Sequence, residues 1–213
     1  KIMYFPNWAE DIFLLNDSTV LDSNHFNINE ESLKIMFAGN IGAAQDMENI
    51  LNAIEITSKD NHLINWIFIG EGRRTEWMKT RVRDLKLDNC VFFLGHHTLD
   101  QMPVFFTLAD VMLVTLKDRK IFSYTAPAKI QAYMASSKPI LAMINGEGAE
   151  IINEAECGYV CNAEDYVSLA GNALKFASLT QSQRNEMGKN GFKFYDTFFS
   201  KQKTIESLIK LLN

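Results

Sequence analysis

LKIMFAG (residues 33–39), INWIFIG (64–70) and VFFLG (91–95) repeat one pattern: a short apolar run that stops at a glycine and passes into a polar loop. A strand with one wet face alternates apolar and polar residues, so runs this continuously apolar read as strands covered on both sides. VMLVTL (111–116), PILAMI (139–144) and CGYVCN (157–162) bring the number of such runs to six. Helical segments separate them. Residues 46–58 carry Met47, Ile50, Leu51 and Ile54 at the i, i+3, i+4, i+7 spacing of a buried stripe. Residues 74–85 read as a helix with a strongly charged face, and 98–109 as a helix interrupted near its start by Pro103. Strands alternating with helices run parallel and are joined by right-handed crossovers. The expected fold is α/β: a Rossmann-like, doubly wound parallel sheet of about six strands flanked by helices. Its ligand crevice then lies beyond the C-terminal strand ends, where the glycines fall.

Outward from this centre the chain is helical on one side and irregular on the other. Residues 163–178 form one predicted helix, and Thr180 with Gln183 makes a capping box that opens a second. A Phe-rich break at 196–200 precedes an amphipathic closing helix, 201–213, with Ile205, Leu208, Ile209 and Leu212 on one stripe. Toward the N-terminus, the apolar run 2–5 is stopped by Pro6, NWAEDIFLLNDS has no clean period, and 19–32 is polar and turn-rich. Residues 1–32 are therefore assigned to a connector and 33–213 to a domain.

The 213 residues are 47% hydrophobic and 22% charged, with net charge −5 and pI about 5.4. A polycationic surface for nucleic acid is not expected. No apolar run approaches the roughly 20 residues of a membrane span. Cys90, Cys157 and Cys161 share no CxxC spacing, which suits buried small side chains in a reducing cytoplasm. The sequence opens at Lys1 without a signal-peptide layout, as a fragment or processed product would.

The chemistry-bearing stretch is SYTAPAKIQAYMASSKP (123–139), between two strands. Thr125 offers a hydroxyl to cap a helix, Pro127 a ring with no amide to waste, and Lys129 a positive charge in the first turn. With Ala126, they place unpaired backbone N–H groups and a cation over the strand ends, a setting for an anion. Gly39-Asn40-Ile41-Gly42 lets backbone approach a ligand, although it is neither G-x-G-x-x-G nor a P-loop, and a plain βα turn explains it equally. Gly70-Glu71-Gly72-Arg73-Arg74 pairs arginines with glycines as phosphate loops do, though arginine pairs are usually solvated. Gly95-His96-His97 lacks the further ligands a metal needs and suits hydrogen bonds to a ligand ring or ribose, against the alternative of exposed loop histidines. No Ser-His-Asp or Cys-His arrangement and no carboxylate pair stands out. The residues indicate a phosphorylated ligand without naming one.

The succession FAGNIG, WIFIGEG, VFFLGHH, LADVMLVTL, PAKIQAYMASSKPILA, EIINEAECGYV resembles the C-terminal, donor-binding domain of retaining GT-B glycosyltransferases of family four, over about residues 33–213. IMYFPNW (2–8) resembles the segment by which that family's N-terminal domain hands over to the C-terminal one. PAKIQ and GNIGAAQ are similar to variants in bacterial enzymes of O-antigen and capsule assembly, including L-fucosamine transferases. The resemblance implies transfer of a sugar from a nucleotide diphosphate sugar, UDP-linked, with retention and without a metal cofactor. The acceptor, a glycan or lipid-linked sugar, would belong to an N-terminal domain absent from this chain. The full enzyme would work in the cytoplasm at the inner face of the membrane, as a peripheral protein. By position, Gly39, Asn40, Gly42, Arg73, Thr125, Ala126, Pro127 and Lys129 would hold the donor diphosphate. Gly95, His96, His97 and Gln131 would hold base and ribose. The sequence departs from the family at Gln131 and Ser123, where relatives carry Glu, and at Asn40 and Gln45, where they carry Arg and Lys. Arg73, Lys117, Arg119 and Lys120 are the candidate replacement cations. A non-catalytic nucleotide-binding or assembly module is the alternative, whereas a sugar-nucleotide epimerase would need an acid and histidine pattern that is not matched.

Overall fold

The computed structural model describes residues 5–14, 21–60 and 63–212. Strands β1 (Leu33–Ala38), β2 (Ile64–Ile69), β3 (Val91–Gly95), β4 (Val111–Thr115), β5 (Ile140–Met143) and β6 (Gly158–Cys161) form a six-stranded sheet in the order β3-β2-β1-β4-β5-β6. All five neighbouring pairs are parallel. This is the Rossmann-type order, and the winding reverses between β1 and β4. In this order the ligand crevice is expected beyond the C-terminal strand ends. The α/β fold expected from the alternation is the one observed.

Successive residues of a strand point to opposite faces, and the cores divide accordingly. Ile35 and Phe37 join Trp66, Phe68, Leu113 and Leu141 in one layer, covered by α1 (Met47–Thr57), α2 (Thr75–Asp84) and, later in the chain, α7 (Tyr166–Ser178). Met36 and Ala38 join Ile67, Met112 and Ile140 in the other. That layer is covered by α3 (Met102–Phe106), α5 (Ala128–Ala135), α6 (Glu147–Glu154) and α8 (Gln181–Phe198), while the four-residue α4 (Lys120–Ser123) before α5 buries none of its residues. Burial on both faces explains why the inner strands β1, β2, β4 and β5 read as unbroken apolar runs.

Four local expectations are revised, the first being the break at 196–200, which is only two residues long because α8 continues through Phe198. Pro103 does not interrupt a helix but lies in the first turn of α3, where a missing N–H costs no hydrogen bond; the residues before it form a 3-10 turn, Leu99–Gln101. The helix expected at 163–178 begins at Tyr166, because the Asp165 carboxylate accepts from the Ser168 amide at 3.0 Å and so caps it. Helix α6 was not anticipated as a separate element. It follows Gly146, whose φ of +75° turns the chain out of β5.

The connector packs on the domain where it is described. Phe13 stacks on Phe106 with ring centroids 5.4 Å apart, and Ala9 and Ile28 are buried in the same core. Residues 1–4 and 15–20, which include parts of the apolar run at 2–5 and of the turn-rich segment, lie outside the described residues. The closing helix α9 (Lys201–Leu212) leaves Ile205, Leu208 and Ile209 38%, 38% and 52% exposed. The side chain of Leu212 also lies outside the described residues.

Candidate functional site

The strand-terminal glycines meet at one edge. The Gly39 amide donates to the Ile69 carbonyl at 2.8 Å, and the Gly70 amide to the Gly95 carbonyl at 2.7 Å. Gly39 and Gly70 have φ of +128° and +118°. A Cβ on Gly70 would run into the Gly39 carbonyl, so only glycine allows the two loops to pass this closely. The loops after β1 and β2 are then locked together, since the Ile41 amide donates to the Glu71 carbonyl at 3.1 Å and the Arg74 amide to the Ile41 carbonyl at 3.0 Å. On the other side, the Lys117 amide donates to the Ala44 carbonyl at 2.9 Å, and the Thr115 hydroxyl donates to the Gln45 carbonyl. The β1 loop is thus tied across the switch point to the end of β4.

Helix α5 starts above this loop. Its N-cap is Pro127, and no side chain caps it. Thr125, expected as the capping hydroxyl, is exposed and caps nothing, because the chain stays extended at Pro127 (ψ 130°) and turns helical only at Ala128. The Ile130 amide donates to the Pro127 carbonyl at 2.9 Å, while the amides of Ala128 and Lys129 have no partner among the described residues. A helix N-terminus with free amides attracts anions.

Lys129 folds back toward the sheet. Its Nζ lies 3.7 Å from the centroid of the Phe37 ring. Its Cε and Nζ lie 3.0 and 3.1 Å from the point a Cβ on Gly39 would occupy. The absent side chain of Gly39 therefore makes the room that Lys129 fills. Burial pushes the Lys129 ammonium down to about 7, with no carboxylate to offset it. The Phe37 ring face acts in the opposite sense by favouring the cation.

The rim carries further unpaired charge. Arg73, Lys117, Arg119 and Lys120 form no ion pair among the described residues, and neither does Lys129. Arg73, Arg119, Lys120 and Asn40 are exposed and Lys117 is half-buried. Arg74, next to Arg73, is instead stacked on Trp77 at 4.2 Å. His96 is exposed. His97 is half-buried, with Nε2 2.9 Å from the Leu94 carbonyl and its ring 4.1 Å from that of Phe105. That contact holds one ring nitrogen and leaves the other for a ligand. Gly95 has φ +77° and open space where a Cβ would stand. Gln131 is 1% exposed with its Oε1 unpartnered, so a ribose reaches it only after a rearrangement. Among the described residues no three His, Cys, Asp or Glu side chains cluster as metal ligands.

Ties on the far side of the crevice escaped the sequence reading. Asn145 Nδ2 donates to Asp118 Oδ1 at 3.2 Å, its Oδ1 accepts from the Ala163 amide at 3.0 Å, and Glu164 Oε1 accepts from the Asp118 amide at 3.2 Å. They join the loops after β4, β5 and β6, and a Cβ on Gly146 would run into the Ser123 carbonyl. A polar residue within three positions after each of these strands, Asp118, Asn145 and Glu164, was the only signal available.

A doubly wound domain with this motif order has known relatives. Residues 21–194 match the family model for glycosyl transferases group 1, and the chain belongs to that family. The resemblance inferred from the motif order is borne out. The chain is 33% identical over 179 residues to the probable glycosyltransferase WbjE of Pseudomonas aeruginosa, covering 80% of this chain and 42% of that protein. It is 26% identical over 141 residues to the putative colanic acid biosynthesis glycosyl transferase WcaI of Escherichia coli, covering 63% and 33%. It thus spans less than half the length of either relative. Among solved structures, Anabaena HepE in complex with UDP and glucose superposes with a TM-score of 0.75 at 14% identity, covering 96% of this chain and 55% of that one. The C-terminal domain of the group 1 glycosyl transferase LpcC from Francisella tularensis gives 0.65 at 20% identity, covering 85% and 99%. These likenesses show the GT-B fold.

Proposed function

We propose that the domain binds the donor of a retaining glycosyltransferase, a UDP-linked sugar, for transfer to a glycan or lipid-linked acceptor in bacterial surface-polysaccharide assembly. One observation carries this reading: two free amides at the start of α5 and Lys129 lie against the β1 end at Phe37 and Gly39, while Arg73, Lys117, Arg119 and Lys120 follow β2 and β4 without ion pairs among the described residues. Positive charge of this kind stabilises a leaving diphosphate as negative charge develops on it. Lys129 and the α5 amides would meet the diphosphate, the Gly39–Gly42 loop would let it approach, and His97 would face the base. Charge from the protein makes a resident metal unnecessary in this scheme. The colanic acid biosynthesis named for WcaI supports the pathway, and the UDP found with HepE the nucleotide. The acceptor site would belong to an N-terminal half, in an enzyme acting on the cytoplasmic side of the membrane as a peripheral protein.

A non-catalytic module remains the second reading, favoured by the neutral Ser123 and by the burial of Gln131. Calorimetry with UDP on the native chain and on Lys129→Ala tests the first. Modest binding is expected, because Asn40 and Gln45 forgo charge-assisted hydrogen bonds worth roughly 1.5–3 kcal/mol each. Lys129→Ala is expected to weaken it at least about tenfold. Unchanged binding in the variant removes the diphosphate site. A transfer assay should show turnover only when an N-terminal half is supplied; none with it favours the module.

A further inference from the structure

Lys129 packs its ammonium onto the Phe37 ring and makes no ion pair among the described residues. The rest of α5 (AKIQAYMA) is uncharged, with the Tyr133 phenol at its centre engaged by Ala38, its hydroxyl 3.3 Å from both the amide and the carbonyl. From β1 it meets the Phe37 ring, and from the β1 loop the backbone of Gly39 beside the neutral Asn40 and Gln45. The charged groups on the surrounding elements are Asp46 at the end of the β1 loop, where its carboxylate accepts from Asn49; Glu71, Arg73 and Arg74 after β2; Lys117, Asp118, Arg119 and Lys120 after β4; and Glu147 at the start of α6. The titratable His96 and His97 follow β3. Asp118 is engaged by Asn145, and no acid among them pairs with Lys129. The Lys129 ammonium therefore faces the Phe37 ring and makes no ion pair among the described residues.

We propose that Lys129 takes up a proton when the diphosphate of a nucleotide sugar enters the crevice, so that donor binding by this chain is linked to pH. The inference rests on the donor-binding reading above. The step is a simple proton transfer from solvent to the Nζ lone pair, and the diphosphate then supplies the missing counter-charge. An amine desolvated in this way is held near 7 without ligand, and a bound dianion restores it toward its ordinary value of 10.5.

The test is calorimetry with UDP at about pH 8 in two buffers of different ionisation enthalpy. At that pH the ordinary histidine is neutral and the terminal phosphate of UDP is ionised. The native chain is expected to take up most of one proton, roughly 0.9 for an amine near 7. Its apparent Kd is expected to rise about tenfold per pH unit from about 8 to 9. Lys129→Arg, charged throughout, is expected to bind UDP with no uptake and a flat profile. Lys129→Met is expected to lose both binding and linkage. Native binding without uptake, or the same uptake in Lys129→Arg, overturns the inference while leaving the donor-binding reading intact. Failure of the native chain to bind UDP overturns the donor reading, and the inference with it.

Discussion

Gly70 and Lys129 show how much of the site depends on single side chains, one of them absent. Gly70→Ala places a Cβ against the Gly39 carbonyl at a φ of +118°, where two rigid backbones must move apart. A loss of about 2–4 kcal/mol in urea unfolding is expected from strain and overpacking together. Gly39→Ala meets only the flexible end of Lys129 and is expected to cost less. Lys129 also shapes the pH dependence of stability. Its folded value is about 7 and its ordinary value 10.5. Between the two, the unfolded chain holds a proton that the folded chain has given up, so stability rises with pH. Cys157 and Cys161 work the other way, since burial pushes both thiols up to about 12 from 9.0. Above about 9 the unfolded chain releases those protons first, and stability falls. Unfolding free energies measured from about pH 7 to 8.5 are expected to rise in the native chain, with a smaller rise in Lys129→Met.

Helix ends in this chain are set by local chemistry, and the helix surfaces by what covers them. The capping box at α8 was legible because both halves are local: the Gln183 amide donates to the Thr180 hydroxyl at 3.3 Å, and the Thr180 amide donates to Gln183 Oε1 at 2.9 Å. Thr180→Ala is expected to cost about 1 kcal/mol in urea unfolding. The start of α5 was misread because Thr125 has the right chemistry in the wrong backbone, with Pro127 delaying the first turn. Amphipathic pattern alone did not say whether a stripe is covered. In α7 it is, and Phe176 is fully buried against the sheet. Phe176→Ala is expected to cost about 3–5 kcal/mol. In α9 the same kind of stripe stands in solvent, and Leu208→Gln or Ile209→Gln is expected to change stability by less than about 0.5 kcal/mol.

The whole chain folds around two layers that bury all three thiols. Cys90, Cys157 and Cys161 are free and buried, and desolvation holds Cys90 near 11 as well. Thiolate is the reactive form, so a disulfide-exchange reagent near neutral pH is expected to find no rapidly reacting thiol in the folded chain and three after denaturation. A fast equivalent before unfolding would show that one layer opens independently. The chain spans 42% of WbjE and 99% of the LpcC C-terminal domain, so a unit of this size also stands alone as a solved structure.

Much of this architecture was written locally. Six apolar runs, helices between them and glycines after the first three determine a parallel, doubly wound sheet, because each feature depends on neighbours a few residues away. The motif order likewise carried the family. The placement of charge did not follow from the sequence. Nothing local says that Lys129 turns inward onto Phe37 while Arg73 stays in solvent, or that Gln131 is sealed in the core one half-turn later. Nor does it say that Thr115 and Lys117 fasten the β1 loop, 70 residues away in the case of Thr115 and Gln45. Those outcomes depend on which backbone passes beside which, and a desolvated amine without a counter-ion arises only when the sheet, the β1 loop and α5 close on it together.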